Sequence, residues 1–227
     1  MVLNINFEGG AVFIGSLNKE VNGFINKCLG KENKYHGNFS NYCVSTMQGG
    51  KMNREGIIFF SDGGYIQVSS SDKDFINDLV SGIVANSDNL FIGSLQYKSI
   101  VIDAFRPFQE YDIIRTISPL YISKDGRSLT FKDDNFLEVL TEKSRKKLIN
   151  NGLSERKANT LSFTLFHTEK AKTKMIEIGK QRNICSQVML YVKGDKAART
   201  MIYELGLGKC TGFGFGAVTI IRKECLI

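Results

Sequence analysis

The chain has 227 residues, of which 42% are hydrophobic and 23% are charged, and its formal net charge is +7. This composition is typical of a globular protein with one large domain or two small ones. The charge is uneven, because residues 1–112 hold 9 Lys and Arg against 12 Asp and Glu, whereas residues 113–227 hold 21 against 11. A basic half indicates a polyanion partner such as a nucleic acid.

Sequence signals for export, membrane insertion and metal binding are missing. Met1–Asn4 lacks the basic start of a signal peptide, and no apolar run approaches membrane-spanning length. We therefore expect a cytoplasmic protein with no membrane partner. The five cysteines form no CxxC pair, which speaks against a disulfide framework and a zinc site. The two histidines, His36 and His167, are too few for a histidine-rich metal site, so no metal and no cofactor are expected.

The first half predicts strands and helices in alternation. A helix is expected over Asn18–Leu29, with an apolar stripe on one face and Gly30 as its stop. Ser71–Asp74 resembles a capping box that opens a second helix. Pro107 disfavours a sheet interior, so Arg106–Glu110 is expected to be a linker. The predicted strands are Leu3–Phe7, Ala11–Ile14, Asn41–Met47, Gly56–Phe60, Tyr65–Ser69 and Leu95–Phe105.

The second half repeats this theme. Asp133–Asn135 is expected to cap a helix that runs to about Asn150, and Gly194–Asp195 to open another that runs to Leu205. Strands and helices in this order, twice over, predict an α+β fold of two tandem ferredoxin-like (RRM-like) βαββαβ units. The N-terminal unit is expected over residues 1–110 and the C-terminal unit over residues 111–227. The predicted strands are Ile113–Ser123, Leu161–His167, Met175–Ile178, Ser186–Val192 and Ala217–Ile221.

Five glycines lie within Gly206–Gly216, around Lys209 and directly before the last predicted strand. Such a loop reaches positive φ and can turn backbone N–H groups toward an anion such as a phosphate. It follows a helix and enters a strand, unlike a dinucleotide fingerprint, and Lys209 precedes Cys210 rather than the Ser or Thr of a Walker loop. We expect a polymer to lie across the loop; a flexible turn without a ligand is the alternative.

These residues give the chain a resemblance to the Cas endoribonucleases that cut CRISPR repeat transcripts into guide RNAs. Three segments carry it: the Gly206–Gly216 loop, Thr116–Leu120 followed by Phe136–Leu140 in the next helix, and Tyr35–Ser40. Their order and spacing match, so the resemblance covers nearly the whole chain. It implies tandem ferredoxin-like units that cut RNA without a metal and keep the product or pass it to an interference complex. Non-cutting relatives in the same repeat-associated superfamily share the glycine loop.

RNA carries its own nucleophile, the 2′-hydroxyl, so an enzyme need only remove that proton, hold the phosphate in line and protonate the leaving 5′-oxygen. His36 lies in a polar segment and suits either proton transfer, because the ordinary pKa of histidine is about 6.5. The resemblance implies that a tyrosine and a lysine assist this histidine. In the family this tyrosine lies in the preceding helix, whereas the helix here has Phe24 and no tyrosine. The predicted catalytic residues are His36, Lys51 and Tyr42, with Lys34 and Tyr35 as alternative helpers.

We expect the basic half of the chain to provide sequence-specific RNA binding. Lys170, Lys172 and Lys174 alternate and would share one side of a strand, with His167 as a strand-end residue beside them. The Lys143–Lys147 run is equally well explained as a solvated helix terminus. Of Phe213 and Phe215, at least one is expected to pack in the core rather than stack on bases. The predicted RNA-binding residues are Arg115, Lys143, Lys146, Lys170, Lys172, Lys174, Gly206, Gly208, Lys209, Gly212 and Gly214.

The predicted function is metal-independent, sequence-specific cleavage within a CRISPR repeat RNA, which leaves a 2′,3′-cyclic phosphate and a 5′-hydroxyl and matures guide RNAs. The main alternative is a non-catalytic subunit that binds a guide RNA inside an interference complex. A general tandem RNA-binding module is a more distant alternative. The expected partner is CRISPR repeat RNA, while other Cas proteins of an interference complex and a second copy in a homodimer stay open as partners.

Overall fold

The computed structural model describes residues 1–30, 33–35, 41–103, 113–178 and 181–221. The chain divides into two compact units. Unit 1 comprises Met1–Phe105 together with Gly212–Gly214, and unit 2 comprises Arg106–Thr211 together with Phe215–Ile227. The predicted linker at residues 106–110, and with it the expected boundary at residue 110, lies outside the described residues.

Unit 1 combines antiparallel strands with two α-helices. A short 3-10 turn, Ser87–Asn89, follows the second helix. The elements are β1 (Val2–Phe7), β2 (Gly10–Phe13), α1 (Leu17–Leu29), β3 (Tyr42–Val44), β4 (Lys51–Met52), β5 (Ile57–Phe60), β6 (Gly64–Ser70), α2 (Lys73–Asn86), β7 (Phe91–Ile92) and β8 (Leu95–Asp103).

The two helices of unit 1 form where the apolar spacing predicts them. Helix α1 ends at Gly30, whose φ of 84° a residue with a side chain rarely adopts, and its predicted apolar stripe is buried. The start of α2 differs from the prediction by one residue. The Asp72 carboxylate, rather than Ser71, caps the helix by accepting hydrogen bonds from the N–H groups of Asp74 at 2.9 Å and Phe75 at 3.4 Å.

The main sheet of unit 1 has the strand order β3-β6-β1-β8-β7. Each of β3-β6, β6-β1, β1-β8 and β8-β7 is an antiparallel pair. Alternate residues of β1, namely Leu3, Ile5 and Phe7, are buried in one apolar core with residues of both helices. The helices therefore cover one face of this sheet, since successive side chains of a strand point to opposite faces.

A second, smaller sheet of unit 1 has the order β2-β5-β4 and is also antiparallel. Strand β4 was not predicted, because its two residues are too few to show an alternating pattern. The turn that joins β4 to β5 is held by Asn53, whose side-chain oxygen accepts hydrogen bonds from the N–H groups of Glu55 at 3.0 Å and Ile57 at 2.9 Å. This turn sets the register in which Lys51 lies opposite Phe59.

Unit 2 contains three α-helices and eight strands among its described residues. A 3-10 turn, Thr168–Lys170, follows the fourth of these strands, and another, Thr211–Phe213, precedes the last. The elements are β9 (Ile113–Thr116), β10 (Ile122–Lys124), β11 (Arg127–Leu129), α3 (Phe136–Asn150), α4 (Glu155–Ala158), β12 (Ser162–Phe166), β13 (Lys172–Ile178), β14 (Gln181–Gln187), β15 (Met189–Lys193), α5 (Lys196–Leu205) and β16 (Val218–Ile221).

The main sheet of unit 2 has the order β12-β15-β9-β16, and its three strand pairs are antiparallel. In both units the first strand of the βαββαβ motif lies between the third and the fourth, with the second strand at the edge. The prediction of two tandem ferredoxin-like units is confirmed. Strands β10–β11 and β13–β14 form two hairpins, each a two-stranded sheet separate from the main sheet. In the described residues no helix has the length and apolar composition that a bilayer crossing needs.

The predicted continuous strand Ile113–Ser123 is wrong, since the structure divides it into β9 and β10. The intervening segment turns toward the glycine-rich loop, where the N–H groups of Ile117 and Ser118 both donate to the Ala217 carbonyl, at 2.9 and 3.2 Å. Pro119 has no N–H to continue a ladder, and its carbonyl accepts from the Gly216 N–H at 3.0 Å.

Candidate functional site

The residue that precedes His36 is anchored to helix α2. The Tyr35 hydroxyl donates a 2.6 Å hydrogen bond to the Asp78 carboxylate, and its ring meets the Phe75 ring edge-on, with 5.1 Å between the centroids. The hydrogen bond from Tyr35 lowers the pKa of the Asp78 carboxyl. The Lys34 ammonium lies 3.4 Å from the same carboxylate. His36 itself lies outside the described residues.

The two predicted helpers of His36 have different surroundings. Tyr42 is a buried residue of β3, and its ring stacks on Phe75 at 4.3 Å with an interplanar angle of 12°. Burial raises the pKa of Tyr42, so its hydroxyl is held in the protonated form. Tyr42 thus lies in the core of unit 1, and its assistance to His36 stays a prediction. Lys51 is exposed on β4 and is therefore accessible to a ligand.

The glycine-rich loop is hydrogen-bonded to the protein at several points. The Leu207 N–H donates to the Gly216 carbonyl at 2.9 Å, and the Lys209 N–H donates to the Tyr121 carbonyl at 2.9 Å. Together with the Gly216 N–H described above, these groups serve the fold rather than a phosphate. The expectation of a loop of bare N–H donors is therefore wrong at these three positions, because the segment after β9 accepts from Lys209 and Gly216, and Leu207 bonds Gly216 within the loop.

Close packing explains the glycine at position 208. Its φ is 73°, and a Cβ there would overlap the Tyr121 carbonyl oxygen and lie 2.7 Å from Cδ1 of Leu120. At Gly216, with φ of 66°, a Cβ would overlap the Leu207 carbonyl in the same way. Glycine is needed at both positions so that two backbone segments can approach each other within unit 2.

The remaining predicted residues of the loop are also tied into the protein. Gly206 ends α5 with φ of 67°, and its N–H donates to the Ile202 carbonyl at 2.9 Å. Gly212 and Gly214 are buried, and both group with unit 1. A Cβ at Gly214 would lie 3.2 Å from Oδ1 of Asn18.

Two lysines take part in holding the loop. The Lys209 ammonium donates a 2.8 Å hydrogen bond to the Ser123 hydroxyl on β10. The Lys147 ammonium donates to the carbonyls of Leu205 and Gly206 at 3.3 and 3.2 Å, and to the Thr211 hydroxyl at 3.5 Å. Lys147 thus caps the C-terminal end of α5 from the neighbouring helix α3, where its positive charge meets the negative end of the helix dipole.

The predicted phosphate-binding lysines and arginine outside the glycine-rich loop lie on four different elements of unit 2. Lys172 and Lys174 are exposed on β13 and share one side of that strand. Lys170 belongs to the preceding 3-10 turn, so the expected row of three is wrong for its first member. Arg115 is exposed on β9, and α3 carries the half-buried Lys143 and the exposed Lys146.

The two phenylalanines of the glycine-rich loop differ in burial, as expected from the sequence. Phe215 is fully buried, whereas Phe213 is half-buried, so at least one of the two packs in the core. His167 follows the end of β12, as predicted, with φ of 51°. Its Nδ1 lies 2.5 Å from the Glu169 carboxylate.

Sequence reasoning missed two positioning residues. Asp78 anchors Tyr35, the residue before His36, and Lys147 holds the start of the glycine-rich loop. Asp78 lies one helical turn after Phe75, so helical spacing places both on the side of α2 that meets Tyr35. That spacing is the signal that could have pointed to Asp78. Lys147 lies in the Lys143–Lys147 run. The local sequence does not show which lysine of this run contacts the protein and which points to solvent.

Comparison with known proteins assigns the family. A family model described as CRISPR associated protein Cas6, C-terminal, matches residues 103–220. A curated relative, the CRISPR-associated endoribonuclease Cas6 1 of Methanocaldococcus jannaschii, is 25% identical over 182 residues, which cover 75% of this chain and 69% of that protein. Because the model spans more than half of the sequence, the chain belongs to the Cas6 family of CRISPR-associated proteins.

Solved structures agree on the fold. A structure from work on a Cas6-related gene of Pyrococcus furiosus is 21% identical, covers 98% of this chain and 99% of its own, and has a TM-score of 0.83. A protein described as a RAMP protein binding different RNA substrates is 19% identical, covers 98% of this chain and 100% of its own, and also has a TM-score of 0.83. At these identities the likeness concerns the tandem ferredoxin-like architecture.

Proposed function

We propose that this chain is an endoribonuclease that cuts within CRISPR repeat RNA and so matures guide RNAs. The observation that carries the proposal is the Cas6 family match over residues 103–220, together with a curated relative that is named as an endoribonuclease. The similar fold of a RAMP protein that binds RNA substrates supports RNA as the ligand. The excess of Lys and Arg in residues 113–227 supplies the charge that a polyanion requires.

The proposed reaction is a transesterification within the RNA. A base removes the proton of the 2′-hydroxyl, the 2′-oxygen attacks the adjacent phosphorus in line, and the bond from phosphorus to the 5′-oxygen breaks. An acid protonates the departing 5′-oxygen. The products are a 2′,3′-cyclic phosphate and a 5′-hydroxyl, and none of these steps requires a metal ion.

His36 is the proposed proton-transfer residue. Its support comes from the sequence, where it lies in a polar segment just after α1, and from the anchoring of the residue before it. The contacts of Tyr35 with Asp78 and Phe75 fix the chain directly ahead of His36. Lys51 is proposed to stabilise charge on the phosphorane.

The test is single-turnover cleavage of repeat RNA from the protein's own locus. His36→Ala should keep RNA binding and slow cleavage by a factor of about 10² to 10⁴. His167→Ala is the matched control, because it removes the other histidine of the chain, and it should keep the rate. Lys51→Ala should slow cleavage less than His36→Ala does. Full activity of His36→Ala would assign the proton transfer to another residue.

The substrate tests the nucleophile independently of any mutation. A 2′-deoxy nucleotide just 5′ of the scissile phosphate should abolish cleavage, since the attacking oxygen is then missing. Cleavage should continue in EDTA, and the 5′ fragment should have the mass of a cyclic phosphate. Normal cleavage of the deoxy substrate would refute the mechanism. Tight binding of repeat RNA with no cleavage by the wild-type protein would instead support the alternative of a non-catalytic guide-RNA-binding subunit.

A further inference from the structure

The small sheet of unit 1 exposes two phenylalanine rings to solvent. Phe13 on β2 is 56% exposed and Phe59 on β5 is 46% exposed. The register pairs Phe13 with Ile57 and Ala11 with Phe59. The two phenylalanines are therefore diagonal neighbours on one face, where Cα atoms typically lie about 7–8 Å apart, close enough for both side chains to contact one ligand.

Along β2 and β5, the opposite face of this sheet is packed into the protein, whereas Met52 on β4 is exposed. Val12, Ile58 and Phe60, which alternate with the exposed residues, are all buried. The sheet is thus a rigid support, and the phenylalanines are not part of a disordered surface. Two exposed aromatic side chains on one face of a folded sheet form an apolar patch of the kind that occurs at binding surfaces.

Cations lie beside the rings. Lys51 on β4 is directly opposite Phe59, so both side chains share the exposed face. The turn between β4 and β5 carries both exposed Arg54 and exposed Glu55, so it adds no net charge to that of Lys51. The face itself, made of Ala11, Phe13, Lys51, Ile57 and Phe59, contains one cation and no carboxylate. We call these five residues the Phe13–Phe59 platform.

We propose that the Phe13–Phe59 platform binds unpaired bases of the RNA substrate by stacking, with Lys51 and Arg54 near the phosphates of the same strand. This proposal rests on the proposed function, because it takes the ligand to be the repeat RNA. Aromatic rings accept any base on their faces, and adjacent cations match the phosphate backbone, so the two features together fit a single strand.

The charge of the platform favours RNA over a second copy of the chain. In a two-fold dimer the same patch meets itself, so the Lys51 ammonium groups of both copies would enter one interface, and the face has no carboxylate to offset them. A single RNA strand supplies the complementary negative charge. RNA also supplies flat bases, which an apolar protein surface does not.

Binding is tested with repeat RNA that carries a 2′-deoxy nucleotide 5′ of the scissile phosphate, so that cleavage does not interfere. Phe13→Ala and Phe59→Ala should each weaken binding by roughly 5- to 150-fold. Phe59→Tyr should retain affinity because it keeps a stacking ring, while Phe59→Leu should lose it although it keeps an apolar side chain. Phe91→Ala is the control, since Phe91 is 48% exposed on β7 of the other sheet.

Photo-crosslinking gives a readout that does not depend on affinity. Repeat RNA with single 4-thiouridine substitutions should crosslink to peptides that contain Phe13 or Phe59 when an unpaired position is substituted. Binding of the two alanine variants within twofold of wild type, or full affinity of Phe59→Leu, would overturn the proposal. A dimer in sedimentation that Phe13→Ala dissociates would show instead that the face joins two copies.

Failure of the platform and failure of the proposed function are distinguishable. If the wild-type protein binds repeat RNA without cutting it, and the alanine variants still weaken binding, the platform stands and the nuclease assignment fails. If the wild-type protein cuts repeat RNA and the alanine variants bind it normally, the nuclease assignment stands and the platform fails.

Discussion

Replacing Gly208 with alanine should destabilise the protein more than the same change at a matched glycine. Gly208 has φ of 73°, and a Cβ there would overlap the Tyr121 carbonyl oxygen. Gly126 in the β10–β11 turn has nearly the same φ, 77°, but a Cβ there would meet no atom within 4 Å. The pair separates the cost of the backbone conformation from the cost of close packing.

The magnitudes follow from these geometries. A left-handed conformation costs a residue with a side chain about 1–2 kcal/mol, which should be the whole effect of Gly126→Ala. At Gly208 the overlap must also be relieved, which adds about 1–3 kcal/mol. The Tyr121 carbonyl cannot move freely because it accepts the Lys209 N–H at 2.9 Å. We therefore expect Gly208→Ala to cost about 2–5 kcal/mol in unfolding free energy.

Differential scanning calorimetry of the two variants provides the assay. A chain of this length shifts its melting temperature by about 2–4 °C for each kcal/mol, so Gly208→Ala should melt several degrees below Gly126→Ala. Equal melting temperatures would refute the packing argument. An unchanged melting temperature with lost RNA affinity would show instead that Gly208 serves the ligand, as the phosphate-cradle hypothesis requires.

Three further predictions concern the site, the basic hairpin and the core. Tyr35→Phe keeps the ring contact but loses the Asp78 hydrogen bond, so single-turnover cleavage should slow by roughly 2- to 10-fold at unchanged RNA affinity. Replacing Lys172 and Lys174 by alanine should reduce the log–log salt slope of single-stranded RNA binding by about 1.4, and an unchanged slope would place the phosphates elsewhere. Burial raises the pKa of the Cys28 thiol from 9.0 to about 12. The unfolding free energy should therefore fall from pH 9 toward pH 12, since only the unfolded thiol loses its proton there, and Cys28→Ala should flatten that decline.

Local sequence patterns were sufficient for helices α1, α2, α3 and α5 and for the fold class, whereas the single-turn helix α4 was not predicted. Helix α1 follows from an apolar stripe at helical spacing and a glycine stop, and α5 follows from Asp195, whose carboxylate accepts the Ala197 N–H at 2.8 Å. Alternating strands and helices predicted two ferredoxin-like units, and the strand orders confirm them. These features depend on residues within a few positions of each other, which a sequence displays directly.

Prediction was weaker where one segment changes course because of a distant one. The stretch Ile113–Ser123 has the composition of one strand, yet it breaks after Thr116, where the next two N–H groups both bond the Ala217 carbonyl. The role of the glycine-rich loop was missed for the same reason, because its hydrogen-bond partners lie far away in the sequence. Composition suggested a cradle for phosphate, whereas the carbonyls of Pro119 and Tyr121 occupy N–H groups of that loop.

The sequence by itself determined the family resemblance, the two-unit architecture, the basic half and the candidate His36, because motifs and charge counts require no knowledge of contacts. Only the tertiary structure decided that Tyr35 is anchored by Asp78, 43 positions away, and that Lys147 caps α5. It also decided that Phe13, Lys51 and Phe59 share a face. The physical reason is that cross-strand register and interhelix contacts arise from pairing between distant segments, which no local periodicity encodes.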